Sequence, residues 1–120
     1  MTQNEKLIFD TLISCEIGSY TCLYGPKRVV VTISNLVALT GLTKYAARKA
    51  LKGLIADGLV EYTSLGCSAV VSFGEVPELV YEAGPPINGY ALTGAAFKTQ
   101  DWVAAYAAWC KSMEEWANGD

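Results

Sequence analysis

The stretch from Leu36 to Tyr62 reads LVALTGLTKYAARKALKGLIADGLVEY, and it decides the fold of this 120-residue chain. Apolar residues recur in it at three- and four-residue steps, which predicts two amphipathic helices. Thr32 is suited to cap a short first helix that stops near Gly41, and Thr43 is suited to cap the second. The second helix is predicted to bury one face made of alanines, leucines and an isoleucine: Ala46, Ala47, Ala50, Leu51, Leu54 and Ile55.

The remaining elements follow from the same kind of pattern. In chain order they are a helix from Glu5 to about Glu16, a short strand over Arg28–Val31, two hairpin strands over Val60–Ser64 and Ala69–Phe73, and a last helix over about Asp101–Ala117. The hairpin turn is placed at Leu65–Ser68. The stretch Gly74–Gly89 contains three prolines, so irregular structure is expected there before the chain returns along the hairpin.

A short helix, a tight turn at Thr40–Gly41, a second helix and a chain that enters a hairpin at Asp57–Tyr62 follow one another here. This order resembles the winged helix-turn-helix superfamily of bacterial and phage regulators. The resemblance implies an α+β fold, mostly α, with a three-helix core, a small antiparallel β-hairpin wing and an additional C-terminal helix. It implies a single domain in which residues 1–93 form the winged helix-turn-helix and residues 94–120 form the added helix.

Charge is distributed unevenly along the chain. The formal net charge is −3, from 9 basic and 12 acidic residues. No Asp or Glu occurs between Ile17 and Ala56, but six basic residues do, so this segment carries +6 and the remainder −9. A merely solvated helix normally mixes both signs, and the imbalance therefore favours a polyanionic partner.

The resemblance implies a sequence-specific regulator of transcription that places the second helix of the pair in the major groove of double-stranded DNA. Arg48 has the planar fork that suits guanine, and Tyr45 at the helix start is suited to a base or a phosphate. The lysines, and two residues of the neighbouring strand, suit the DNA backbone. The candidate DNA-binding residues are Lys27, Arg28, Thr43, Lys44, Tyr45, Arg48, Lys49 and Lys52. Exposed basic residues of this kind are also ordinary solubilising residues, and that interpretation stays open.

A second hypothesis comes from a departure from the family pattern. The predicted wing, Tyr62–Ser72, contains no Lys or Arg, whereas wings of DNA-binding members often place a basic side chain on the phosphates. Together with the −9 outside the basic segment, this leaves room for a winged-helix module that binds a protein. A phage-encoded inhibitor similar to anti-CRISPR proteins, acting through an acidic surface, is one example.

The last helix carries a stripe of large side chains on one continuous face: Trp102, Tyr106, Trp109, Met113 and Trp116. Two arrangements would cover this face. Either it packs on the core of its own chain, or part of it packs against a second copy in a homodimer.

Several classes of protein are excluded or disfavoured. The chain has no histidine, which removes the commonest general base and every Ser–His or Cys–His nucleophile pair, so an enzyme is not expected. No CxxC spacing joins the cysteines, which are expected to be reduced packing residues: Cys15, Cys22, Cys67 and Cys110. No cofactor or metal is expected. The chain also lacks a run of roughly 18 apolar residues and a signal peptide, which predicts a cytoplasmic protein without a membrane partner.

Overall fold

A computed structural model of the chain describes residues 1–18, 29–72 and 78–118; for residues 65–72, 78–87 and 118 it describes the backbone only. In chain order the described elements are α1 (Gln3–Gly18), α2 (Ile33–Thr40), α3 (Lys44–Ala56), β1 (Val60–Ser72), β2 (Glu78–Leu92), a 3₁₀ helix (Gly94–Lys98) and α4 (Gln100–Asn118). The two strands form one antiparallel sheet. The predicted α+β class, mostly α, is confirmed at this level.

The hydrophobic core forms where α1, α2 and α3 meet. Ile8 and Phe9 of α1, Leu36 of α2 and Leu51 and Leu54 of α3 are fully buried and belong to one cluster. Each such side chain contributes about 1.5–3 kcal/mol through the apolar surface that it removes from water. The helical pattern that predicted these elements is therefore also the pattern that builds the core.

The ends of α2 and α3 are where the sequence places them. Thr32 and Thr43 each accept a backbone N–H bond through the side-chain oxygen, from Asn35 at 3.2 Å and from Ala46 at 3.1 Å. Gly41 and Gly58, beyond the two helix ends, have φ of 75° and 76°, a left-handed conformation that glycine adopts without strain. Both predicted N-caps are confirmed.

The prediction of the buried face of α3 is wrong at one residue. Ala47, Ala50, Leu51 and Leu54 are buried and Ala46 is half-buried, but Ile55 is 41% exposed. Ile55 lies in the last turn of α3, at the edge of the face that the four buried residues define. The prediction placed Ile55 in the interior because it is apolar, but the geometry of the helix directs its side chain towards solvent.

The hairpin is much longer than predicted. β1 runs without interruption through Leu65–Ser68, the proposed turn, and pairs with β2 from Val60↔Leu92 to Ser72↔Glu78. The register shifts between Leu65 and Cys67, opposite the segment 84–86, which contains two adjacent prolines. Proline has no N–H to donate and is tolerated in a sheet where the ladder of hydrogen bonds is interrupted. The glycine and the two prolines that suggested a turn and a loop therefore lie at a β-bulge.

The predicted strand over Arg28–Val31 is reduced to a single bridge. Val31 exchanges two backbone hydrogen bonds with Tyr90 of β2, at 2.9 and 2.8 Å, while Arg28 lies outside the described residues. The close approach requires Gly89, since a Cβ there would lie 2.6 Å from the Val31 carbonyl oxygen. This bridge joins the entry to α2 to the outer edge of β2.

A buried carboxylate at the end of α1 holds the same segment. The Glu16 carboxylate is buried and accepts the Val29 N–H at 3.2 Å. Burial, with the negative charge of Glu16 as the smaller cause, raises the pKa of the neighbouring Cys15 thiol to about 11. Cys15 is thus the packing residue that was predicted, whereas Cys110 is exposed, contrary to the prediction. Cys22 and the side chain of Cys67 lie outside the described part.

The two ends of the hairpin are tied together at its base. Thr93, which follows β2, donates its hydroxyl to the Gly58 carbonyl at 2.5 Å and its N–H to the Leu59 carbonyl at 3.0 Å. The hairpin therefore starts and ends at the C-terminal end of α3. Among the described helices, none is both long and apolar enough to cross a membrane.

Candidate nucleic-acid interface

The turn between α2 and α3 is short and held by hydrogen bonds. Three residues, Gly41 to Thr43, separate the helices. Gly41 donates its N–H to the Val37 carbonyl at 2.9 Å, and Leu42 donates to the Thr40 hydroxyl oxygen at 3.3 Å. Leu42 also packs against the core. Because both helices are anchored by buried leucines, the outer face of α3 is presented on a rigid support.

That outer face carries a cluster of exposed basic and aromatic side chains, called here the α3 basic face: Lys44, Tyr45, Arg48, Lys49 and Lys52. Among the aromatic side chains that the structure describes, Tyr45 is exceeded in exposure only by Trp116, and 77% of it is exposed. Within the described part of the chain, the four cations of this face form no ion pair. Lys6 of α1 differs, since it pairs with Asp10 at 2.9 Å and Asp101 at 3.2 Å. These hydrogen bonds raise the pKa of Lys6.

The spacing of the basic face creates internal repulsion. Lys44, Arg48 and Lys52 follow one another at steps of four residues, so their side chains line one row of the helix surface. Like charges in such a row destabilise a helix by a few tenths of a kcal/mol per pair. A bound anion would remove this cost, and none of the described carboxylates does so by an ion pair.

One carboxylate borders the basic face, and sequence reasoning missed it. Glu5 of α1 lies over Gly53 of α3, with its carboxyl atoms 3.0–3.1 Å from where a Gly53 Cβ would stand. A groove of about 530 Å³ runs between the N-terminal end of α1 and α3, with Lys49 in its wall. The two helices approach each other closely at Gly53, and no local signal could have named Glu5 as the residue across it.

The remaining predicted DNA contacts divide into two groups. Thr43 is exposed and occupied as the N-cap of α3. Lys27 and Arg28 lie outside the described residues, so they are not located relative to the basic face. The whole hairpin, from Val60 to Leu92, contains no Lys or Arg and four glutamates. The predicted wing contains no Lys or Arg, and the same is true of the longer hairpin that the structure shows.

The stripe on α4 begins inside the fold and leaves it. Trp102 is buried in the core, Trp109 is half-buried, and Tyr106, Met113 and Trp116 are exposed. The Trp102, Tyr106 and Trp109 rings stack in sequence, with centroids 6.1 and 5.8 Å apart. The first turn of the stripe therefore packs on its own core, as one of the two predicted arrangements requires, and the last turns do not.

The described residues contain no group of three or more His, Cys, Asp or Glu side chains placed to hold a metal ion. Comparison of the chain with known protein families, with curated proteins and with solved structures found no match. The assignment of a function therefore depends on the geometry and charge of the chain itself.

Proposed function

We propose that this chain is a winged helix-turn-helix protein that binds double-stranded DNA with α3 in the major groove and acts as a regulator of transcription. The observation that carries the proposal is the α3 basic face, on which four exposed cations stand beside Tyr45 and form no ion pair with a described carboxylate. An α-helix fits the major groove, where its side chains reach base edges and phosphates.

The order of the elements supports this proposal. A helix pair joined by a three- or four-residue turn that contains glycine is the usual arrangement of helix-turn-helix proteins. Here α2 and α3 are joined through Gly41, and α3 leads directly into the hairpin. The Val31–Tyr90 bridge adds a very short third segment beside β2 in the sheet. In the sequence this segment lies between α1 and α2. Residues 1–93 would then form the winged unit.

The side chains of the basic face suit different parts of a duplex. Arg48 lies in the middle of the exposed row and has the bidentate geometry for guanine. Tyr45, one turn earlier, reaches a base or a phosphate. Lys44, Lys49 and Lys52 are point charges that suit phosphates and carry no sequence information.

The acidic hairpin limits how the duplex can lie. With no cation between Val60 and Leu92, we assign the phosphate contacts to α3 and, as the sequence predicts, to Lys27 and Arg28. Four to six neutralised phosphates correspond to a slope of roughly −4 to −5 in the logarithm of affinity against the logarithm of salt concentration. A hairpin that gripped the minor groove with cations would add to this slope.

The test is anisotropy of a labelled duplex that has first been selected from a randomised pool with the purified protein. Binding is measured over a salt series, beside a scrambled duplex, for the native protein and for Arg48→Glu/Lys49→Glu. Lys98→Glu/Lys111→Glu, which reverses two exposed cations outside α3, is the charge-matched control for the double variant. We expect steep salt dependence, a preference for the selected duplex, loss of binding in the double variant and little change in the control.

Equal and weak binding to every duplex, unaffected by the α3 double variant, would refute the proposal. That result would direct attention to the second hypothesis, a winged-helix module whose acidic hairpin contacts a protein.

A further inference from the structure

The backbone groups of Tyr62 and Ser64 in β1 point away from β2. Tyr90, the residue paired with Tyr62, uses its N–H and its C=O in the bridge to Val31, at 2.8 and 2.9 Å. Both groups of a strand residue lie on the same side of the strand, so Tyr62 and Tyr90 form an antiparallel pair that exchanges no hydrogen bond. This direction recurs at every second residue, which places the N–H and C=O of Tyr62 and Ser64 on the outer edge of β1.

That outer edge has no strand beside it in the part of the chain that the structure describes. There the sheet consists of β1 and β2, and the further bridge at Val31 lies along β2. No described backbone group bonds to the outward N–H or C=O of Tyr62 or Ser64. Both residues are exposed, and Tyr62 is 61% exposed. An edge of this kind is a template on which a further strand can form.

The two strands differ in the residues that prevent pairing at an edge. Natural sheets protect their edges with charged side chains, with proline or with a bulge. Opposite Gly66 of β1, β2 has the three residues 84–86, so the longer side of the bulge is on β2. β2 also carries two glutamates and two adjacent prolines: Glu78, Glu82, Pro85 and Pro86. β1 from Tyr62 to Ser72 contains no charged residue and no proline, so its edge lacks this protection.

The charge of the hairpin determines what can approach this edge. From Val60 to Leu92 the chain has four glutamates and no Lys, Arg or Asp, which is a net charge of −4. This charge repels DNA phosphates, and pairing with β1 of a second copy would bring two such hairpins together. A strand that carries lysine or arginine is attracted instead, because opposite charges on neighbouring strands stabilise their pairing. The open edge and the acidic hairpin therefore fit an extended, basic segment of another protein.

We propose that β1 binds such a segment by strand addition, so that β1, β2 and the partner form a three-stranded sheet. The partner strand exchanges hydrogen bonds with the outward backbone groups of Tyr62 and Ser64, which provides affinity with little dependence on sequence. Its lysines or arginines face the glutamates of the hairpin, which provides the preference for basic segments. The exposed Tyr62 ring packs on the side chain of the partner residue beside it. This use of β1 does not depend on what α3 binds.

The first experiment is selection of short random peptides, displayed on phage, with the full-length native chain. We expect enrichment of basic peptides that lack proline at their centre. Each enriched peptide is then synthesised with a fluorescent label, and its affinity is measured for the native chain and for Ser64→Pro. Proline removes the outward N–H, which β2 does not use, so the variant should fold and bind the peptide about tenfold more weakly or worse. Ser64→Ala keeps the N–H and is the control, which should bind as the native chain does.

Amide hydrogen exchange, followed by NMR, locates the bound peptide on the chain. The alternation of the ladder predicts that the N–H groups of Glu61 and Thr63 are bonded to β2, whereas those of Tyr62 and Ser64 face outward. Saturation with an enriched peptide should slow the exchange of the Tyr62 and Ser64 amides by about tenfold or more. The exchange of the Glu61 and Thr63 amides should change little. A peptide that leaves the Tyr62 and Ser64 amides unprotected overturns the proposal.

A second variant, Ser64→Lys, keeps the N–H and adds a cation beside the incoming basic strand. It should also weaken peptide binding, and it carries the test if far-UV circular dichroism shows that Ser64→Pro is unfolded. The proposal is overturned if no peptide or only acidic peptides are enriched, or if the folded variants bind like the native chain. Protection of Tyr62 and Ser64 that rises with protein concentration alone would identify a second copy as the occupant and overturn it as well. Binding of a duplex by α3 should be the same in Ser64→Pro and in the native chain, so the two proposals fail separately.

Discussion

Replacing Gly89 with alanine tests whether the Val31 bridge holds the entry to α2 against the sheet. An added Cβ would lie 2.6 Å from the Val31 oxygen, 2.8 Å from its carbonyl carbon and 2.9 Å from Cγ1 of Val30. Two of these atoms are backbone, so the Val30–Val31 segment must move away from β2. The Gly89→Ala change therefore breaks a tertiary contact rather than a local conformation.

The magnitude follows from what the displacement removes. Two bridge hydrogen bonds, each worth about 1 kcal/mol net, are lost or weakened. Val30 and Val31 are almost completely buried, and exposing part of one such side chain costs up to about 1.5–3 kcal/mol. We expect the free energy of unfolding to fall by about 2–4 kcal/mol, which covers the upper part of the range typical of overpacked sites and extends above it.

Urea denaturation followed by far-UV circular dichroism measures this change. Gly94→Ala is the matched control, because nothing lies within 4 Å of a Cβ at that position, and its effect should stay within about 0.5 kcal/mol. If Gly89→Ala and Gly94→Ala had the same small effect, the close contact between β2 and Val31 would be refuted.

Two further predictions concern α3 and α1. Gly53→Ala should stabilise the chain by about 0.5–1 kcal/mol in the same urea assay, because helix propensity improves and the crowded Glu5 carboxyl is the end of a flexible side chain. Destabilisation would mean that Glu5 is held in place. The folded-state pKa of Cys15, about 11, exceeds its ordinary 9.0, so its contribution to stability is complete below pH 9 and is lost as pH rises to 11. The loss should reach about 2–3 kcal/mol and be absent in Cys15→Ala; equal pH dependence of the two proteins would contradict it.

The parts of the fold that the sequence predicted are those set by nearby residues. Thr32, Gly41, Thr43 and Gly58 act within one turn of their own positions, so the helix ends could be placed from local chemistry. The exposed cations of α3 follow in turn, because burying Ala47, Ala50, Leu51 and Leu54 leaves them outside. Most of the α3 basic face was therefore predictable.

The errors arise where distant residues meet. Gly66 lies in a strand because 12 residues of β2 pair with β1 on its two sides, and a glycine followed by polar residues gives the same local signal in a turn and in a bulge. The Val31 bridge depends on Gly89, and the position of Glu5 depends on Gly53. These last two contacts join segments more than 40 residues apart in the sequence. The periodicity within one segment carries no information about such a contact.

All three tryptophans of the chain lie on α4, in three different environments. Trp102 is buried, Trp109 is half-buried and Trp116 is in solvent. Intrinsic tryptophan emission is therefore a local signal: its blue-shifted part reports the docking of one helix start on the core, and its red-shifted part reports the free helix end. An unfolding curve from this emission coincides with one from circular dichroism only if α4 leaves the core together with the other helices. The placement of the indoles thus makes the cooperativity of this small fold directly visible.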